Sequence, residues 1–200
     1  MFRKHFVVSA AVLALGGLLS PLHAATGICN GVPGIIKTVR KAPAIADHGS
    51  IQAAIVSAIG ASPLASNWCI NIDSSTYSEQ VTVANIAFTY SSNTLTIQSD
   101  PALVSTRAAV NPPGPTAGFR IMNSSVNILG ISIIPTVGVQ YGIFASSNHV
   151  TISSVNVDAG GNISFAGIKI ASNSAVSYSS VTVQAGHGIW LENSGRNFIS

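Results

Sequence analysis

The side chains able to do acid–base or metal chemistry are few. The carboxylates are Asp47, Asp73, Glu79, Asp100, Asp158 and Glu192. Glycoside hydrolysis needs two of them facing one another across a cleft. Asp158 follows the third strand of the repeat described below and Glu192 the first, so they fall at different corners. Calcium-dependent chemistry needs clustered carboxylates around a hard cation, and the sequence offers no cluster. His48, His149 and His187 stand at no metal-ligand spacing with one another or with Cys29 and Cys69. His149 and His187 read as exposed turn residues. Neither a phosphate-cradling Gly-rich loop nor a Gly-x-Ser-x-Gly elbow occurs. No metal and no cofactor is expected, no catalytic residue is assigned, and whether the chain is an enzyme stays open.

A binding surface has more to build on. In four short runs, Phe119, Ile143, Ile168 and Ile189 are followed by Arg120, Phe144, Lys169 and Trp190. If the first set points inward, strand alternation points the second outward, one per repeat. Glu192 points outward two residues beyond Trp190. Arg120, Phe144, Lys169, Trp190 and Glu192 form a candidate sugar-binding stripe. Rings stack on the apolar faces of sugars, and the cations engage acidic or hydroxyl groups. Cross-strand packing with cation–π pairs explains the same column. So does cover by the Asn111–Thr116 loop, and these readings stay open.

These residues are positioned by a repeat. Gly118, Gly142, Gly167 and Gly188 each open a short alternating run, at intervals of 21 to 25 residues. A second run follows at Val126–Ile128, Val150–Ile152 and Val176–Tyr178. A third follows at Ile131–Ile133, Val155–Val157 and Val181–Val183. Asn123, Asn148 and Asn173 precede the second runs and suit a hydrogen-bonded corner with left-handed backbone. Three short strands per 21–25-residue coil is the pattern of a parallel β-helix. Before it, Ser50–Ile59 reads as a helix with Ile51, Ile55 and Ile59 on one face and Gly60 as its stop.

Composition agrees. Of 200 residues, 47% are hydrophobic, only 8% are charged, and Ser is the commonest type with 28. Low charge excludes a charge-laced helical bundle, and high hydrophobicity excludes charge-driven disorder.

The opening resembles that of pectin methylesterases and other pectate-lyase-like proteins. It is carried by Ser50–Ile59 with its Ile51-Gln52, then Tyr77-Ser-Glu79-Gln-Val81-Thr-Val83, then Leu95-Thr-Ile97-Gln-Ser-Asp100. Two family glycines are missing, replaced by Ser75-Thr76 and by Ser99. The resemblance implies an all-β fold, a right-handed parallel β-helix with an N-terminal capping helix. It implies acidic polysaccharide as a substrate class, yet the paired Asp and Arg of the esterase site have no counterpart in residues 100–200. Glu79 is expected to make a structural loop contact.

Residues 1–24 read as a signal peptide: Arg3 and Lys4, an apolar run from Phe6 to Leu19, then Pro21 and Ala24. That run is too short to span a bilayer. Without it, seven Lys and Arg face six Asp and Glu, which gives nucleic acid no electrostatic purchase. Export places Cys29 and Cys69 in an oxidising compartment, where a disulfide between them is expected. The expected organisation is a signal at 1–24, an N-terminal arm at 25–46, and a β-helix at 47–200, incomplete at its C-terminus. The expected location is secreted, periplasmic or on the cell surface, with no membrane span once the signal is removed. The expected role is non-catalytic binding of polysaccharide or a cell-surface glycan, or service as a surface or adhesin-type module. The alternative is the front of a polysaccharide lyase or carbohydrate esterase whose active site lies beyond residue 200.

Overall fold

The computed structural model describes residues 26–29, 32–100, 106–192 and 195–200. The expected signal, residues 1–24, lies outside them, as does the side chain of Cys29. Two strands come first, β1 (Thr26–Cys29) and β2 (Val32–Val39), then one helix, α1 (Ile51–Gly60). Triplets of short strands follow. The first is β3 (Trp68–Ile72), β4 (Thr76–Tyr77) and β5 (Val81–Ala84). The second is β6 (Leu95–Ser99), β7 (Ala109–Val110) and β8 (Ala117–Met122). The third is β9 (Val126–Leu129), β10 (Ser132–Ile133) and β11 (Val139–Ala145). The fourth is β12 (Thr151–Ser153), β13 (Asn156–Asp158) and β14 (Ile163–Ile170). The fifth is β15 (Ala175–Ser177), β16 (Ser180–Thr182) and β17 (His187–Leu191), and β18 (Phe198–Ile199) comes after it.

Each triplet contributes one strand to each of three sheets. Sheet I runs β1-β2-β3-β6-β9-β12-β15-β18, sheet II β4-β7-β10-β13-β16, and sheet III β5-β8-β11-β14-β17. All pairings are parallel except β1 with β2. The chain is therefore mostly β with three parallel sheets, consistent with a parallel β-helix. Strand β2 lies within the arm expected at 25–46 and pairs in register with β3.

The period of two sends alternate apolar residues into the space between the sheets. In sheet I, Ile70, Ile97, Ile128, Ile152 and Val176 stack in one column, and all are buried. Each buried isoleucine is worth about 1.5–3 kcal/mol relative to exposure. The expected alignment slips here. Tyr178 was the expected equivalent of Ile128 and Ile152, but Val176 takes that place and Tyr178 is exposed at a corner with φ 48°. The constant spacing belongs to that corner. Gly130, Ser154 and Tyr178 all adopt left-handed backbone. Each donates its N–H to a carbonyl of the next coil, that of Ser153, Ser177 and Ser200 respectively.

The corner between sheets III and I also differs from expectation. Asn123 and Asn173 are left-handed there, together with Asn85, but His149 takes that conformation in place of Asn148. One amide pair forms, Asn123 Nδ2 to Asn85 Oδ1 at 3.0 Å. Buried serines make most of the ladder. Ser124 Oγ accepts from the Ile86 amide and Ser147 Oγ from the Ser124 amide. Ser174 Oγ accepts from the Val150 amide.

The repeat glycines answer to close approach. A Cβ on Gly142 would lie 2.5 Å from the Gly167 carbonyl oxygen and 2.7 Å from Val157 Cγ1 of sheet II. Gly188, on the last strand of sheet III, meets nothing within 4 Å.

Helix α1 packs against β5, β2 and β3. Ser50 caps it, its side chain accepting from the Ala53 amide at 3.1 Å. Ile51, Ala54, Ile55 and Ala58 are buried, and Ile59, expected on the same face, is 37% exposed. The reason is helical pitch. At 3.6 residues per turn, position i+7 returns almost to the starting direction and i+8 overshoots it. Glu79 takes the structural role expected of it. Its two carboxylate oxygens accept from the Ile51 and Gln52 amides at 2.9 Å each, where the helix dipole favours negative charge. The Gln52 side chain meets both the N–H and the C=O of Thr82 on β5, as a neighbouring strand would.

Candidate ligand-binding face of sheet III

Strand register brings the expected stripe together. Thr82, Arg120, Phe144, Lys169 and Trp190 are successive partners across β5, β8, β11, β14 and β17. Their inward neighbours Val83, Ile121, Ala145 and Ile170 are fully buried. The column from Arg120 to Trp190 spans three inter-strand steps, about 14 Å at the usual strand spacing.

Three ring-bearing residues join it that the repeat pattern did not assign. Tyr141 lies 5.0 Å from Phe144 and 5.3 Å from Phe165, centroid to centroid. Phe165 lies 5.3 Å from Trp190 and 6.0 Å from His187. His187 lies 4.5 Å from Trp190, so it is a member of β17 and of this cluster rather than a turn residue. Phe165 touches three of the other rings because of a bulge. The register is Val139 with Ile163, then Tyr141 with Ala166, so β14 holds one extra residue. Both Ser164 and Phe165 are therefore exposed, while Ile163 and Ala166 on either side are buried. Bulges re-aim side chains in this way. A signal was present in the sequence: an aromatic residue or His stands one or two places before three of the repeat glycines, as Tyr141, Phe165 and His187.

Lys169 is 9% exposed. Its Nζ donates to Glu192 Oε1 at 2.9 Å and lies 4.8 Å from the Phe144 centroid and 5.8 Å from that of Tyr141. A carboxylate and two ring faces thus compensate a nearly buried ammonium. Glu192 therefore holds Lys169. Arg120 is different: it forms no ion pair among the described residues, and its Nε is buried without a hydrogen-bond partner. The face offers rings and one uncompensated guanidinium, which suits a flat, partly apolar ligand carrying hydroxyl or anionic groups. The Asn111–Thr116 loop sits at the corner between sheets II and III. There Asn111 Oδ1 accepts from the Thr136 amide and hydroxyl at 3.0 Å each.

Most carboxylates are engaged in holding the fold. Burial pushes the Asp47 carboxyl up, but the amide and hydroxyl of Thr38, with Lys37 and His48, outweigh it and hold the group below the usual range. Asp73 behaves likewise: burial opposes, while hydrogen bonds from Tyr77, Ser75 and Lys41 lower it. Burial first, then its bond to Asp73, raises the Tyr77 phenol. Asp100 lies 3.6 Å from Arg40. Asp158 is exposed on β13.

Among the described residues no three His, Cys, Asp or Glu side chains gather in a metal-binding group, and no helix is long and apolar enough to cross a membrane. Cys69 is fully buried on β3, and the described residues include no free cysteine. Comparison with family models, curated proteins and solved structures finds nothing that matches this chain.

Proposed function

We propose that this chain is an exported, non-catalytic binding module, a right-handed β-helix of the pectate-lyase-like kind with α1 capping its first coil, whose sheet III face binds polysaccharide. The observation that carries the reading is the in-register column Arg120–Phe144–Lys169–Trp190, widened by the bulge-borne Phe165. Export rests on the signal pattern of residues 1–24, and the Cys29–Cys69 disulfide belongs to the same reading. The engagement of Asp47, Asp73, Glu79 and Glu192 in structural bonds supports a non-catalytic role.

The test is affinity electrophoresis through gels holding polygalacturonate or a neutral glucan. Wild type is retarded by at least one of them, and Trp190→Ala with Phe144→Ala restores free mobility. Unchanged retardation in the double variant sinks the proposal. A second reading, the front of a lyase or carbohydrate esterase, is favoured by the way Gln52 and Glu79 tie α1 to the first coil at the motif positions of that family. Unsaturated-product absorbance or methanol release from pectin by the purified chain selects it.

A further inference from the structure

At the corner between sheets III and I, the link from β5 to β6, residues 85–94, is longer than the later links at the same corner. It helps to enclose two adjoining concavities of about 440 and 520 Å³ that share Phe88, Ser125 and His149. Volumes of about 300–1,000 Å³ are typical of small-ligand sites. Among the described residues no Lys, Arg, Asp or Glu lines either one, so this groove is chemically unlike the sheet III face.

The groove is instead lined by uncharged groups that donate and accept. Ser124 and Ser147 use their oxygens to accept backbone N–H groups and form its buried floor, while exposed Ser91 and half-buried Ser125 bring hydroxyls that both donate and accept. Asn93 Nδ2 donates to the Leu64 carbonyl at 3.0 Å. A carbonyl only accepts, so this bond fixes the amide orientation and leaves Asn93 Oδ1 as an acceptor on the other side. Phe88 is half-buried against the core and gives the groove one apolar surface. His149 stands exposed at the left-handed corner position.

We infer that this groove is a second binding site, separate from sheet III, for an uncharged hydroxyl-rich ligand of the neutral oligosaccharide class. A charged ligand would meet no carboxylate, ammonium or guanidinium here among the described residues. A sugar hydroxyl both donates and accepts, and it finds both kinds of partner in serine hydroxyls and an amide oxygen. The apolar face of a sugar ring finds Phe88.

Isothermal titration with maltohexaose, cellohexaose and mannohexaose tests this on the wild type, two groove variants, Trp190→Ala and the sheet II control Asp158→Asn. Ser125→Trp fills the shared part of the groove, and His149→Gly removes the imidazole while keeping a backbone that accepts φ 59°. At least one hexaose binds the wild type, about tenfold more weakly in both groove variants and within about twofold of wild type in Asp158→Asn, which is exposed on β13 away from both sites. His149→Gly alone decides if Ser125→Trp loses the wild-type circular dichroism. Absence of binding by all three sugars overturns the inference, as does unchanged affinity in the groove variants. Binding that both groove variants retain and Trp190→Ala abolishes belongs to sheet III and overturns it equally.

Discussion

Replacing Ser147 by alanine removes the acceptor that the Ser124 amide reaches at 3.0 Å. Ser124 and Ser147 are 5% and 6% exposed, so water does not replace the lost oxygen unless the corner opens. A buried donor left unsatisfied costs about 1–3 kcal/mol. The neighbouring Ser146 is the control. It is exposed, and its hydroxyl makes only a long 3.4 Å bond to the Ile121 carbonyl. Ser146→Ala is therefore expected to change stability by less than about 0.5 kcal/mol. With a urea dependence of about 2 kcal/mol per molar, a 2 kcal/mol loss moves the Ser147→Ala midpoint down by about 1 M. Urea titration followed by tryptophan fluorescence reads the shift, and amide exchange at Ser124 reads its cause. Equal midpoints for the two alanine variants, or unchanged exchange at Ser124, refute the ladder as a source of stability.

Gly142→Ala forces a methyl against the Gly167 carbonyl and Val157, and a loss of about 1–3 kcal/mol is expected. Gly188→Ala meets open space and serves as the neutral comparison in the same thermal melts. The lowered carboxyl pKa values of Asp47 and Asp73 add stability that is present above the ordinary value of 3.8. That stability is lost as pH falls through the lower folded values. A Tm-against-pH series is expected to fall less steeply below that point for Asp47→Asn and Asp73→Asn than for the wild type. If Cys29 and Cys69 are joined, unreduced protein in denaturant yields no reactive thiol; a count of two excludes the bridge.

What the sequence made legible followed from strict alternation. Phe119, Ile143 and Ile168 are buried and Arg120, Phe144, Lys169 and Trp190 fall in one register column, because a period of two fixes a side chain's face from its neighbour's. Where the count breaks, the reading breaks. Phe165 lies on a strand with one extra residue, so its outward direction depends on a pairing between β11 and β14 that sequence spacing does not contain. The serine ladder was hidden for another reason. Ser124, Ser147 and Ser174 read like the many serines that coat the surface, and only the stacking of coils brings a backbone amide to each hydroxyl. Glu79 could be assigned to structure from the opening motif, but its partner, the start of α1, lies 27 and 28 residues away.

The bulge in β14 also shows how this fold can be edited. The extra residue enters between Val139↔Ile163 and Tyr141↔Ala166. By Ala166↔His187 and Ile168↔Ile189 the next strand pairs without any offset. One insertion thus adds an aromatic side chain to the outer face and leaves the stacking of Ile143, Ile168 and Ile189 unchanged. Outer-surface chemistry and core register are separable variables in sheet III, so lineages or libraries can vary its outer side chains rung by rung without renegotiating the interior.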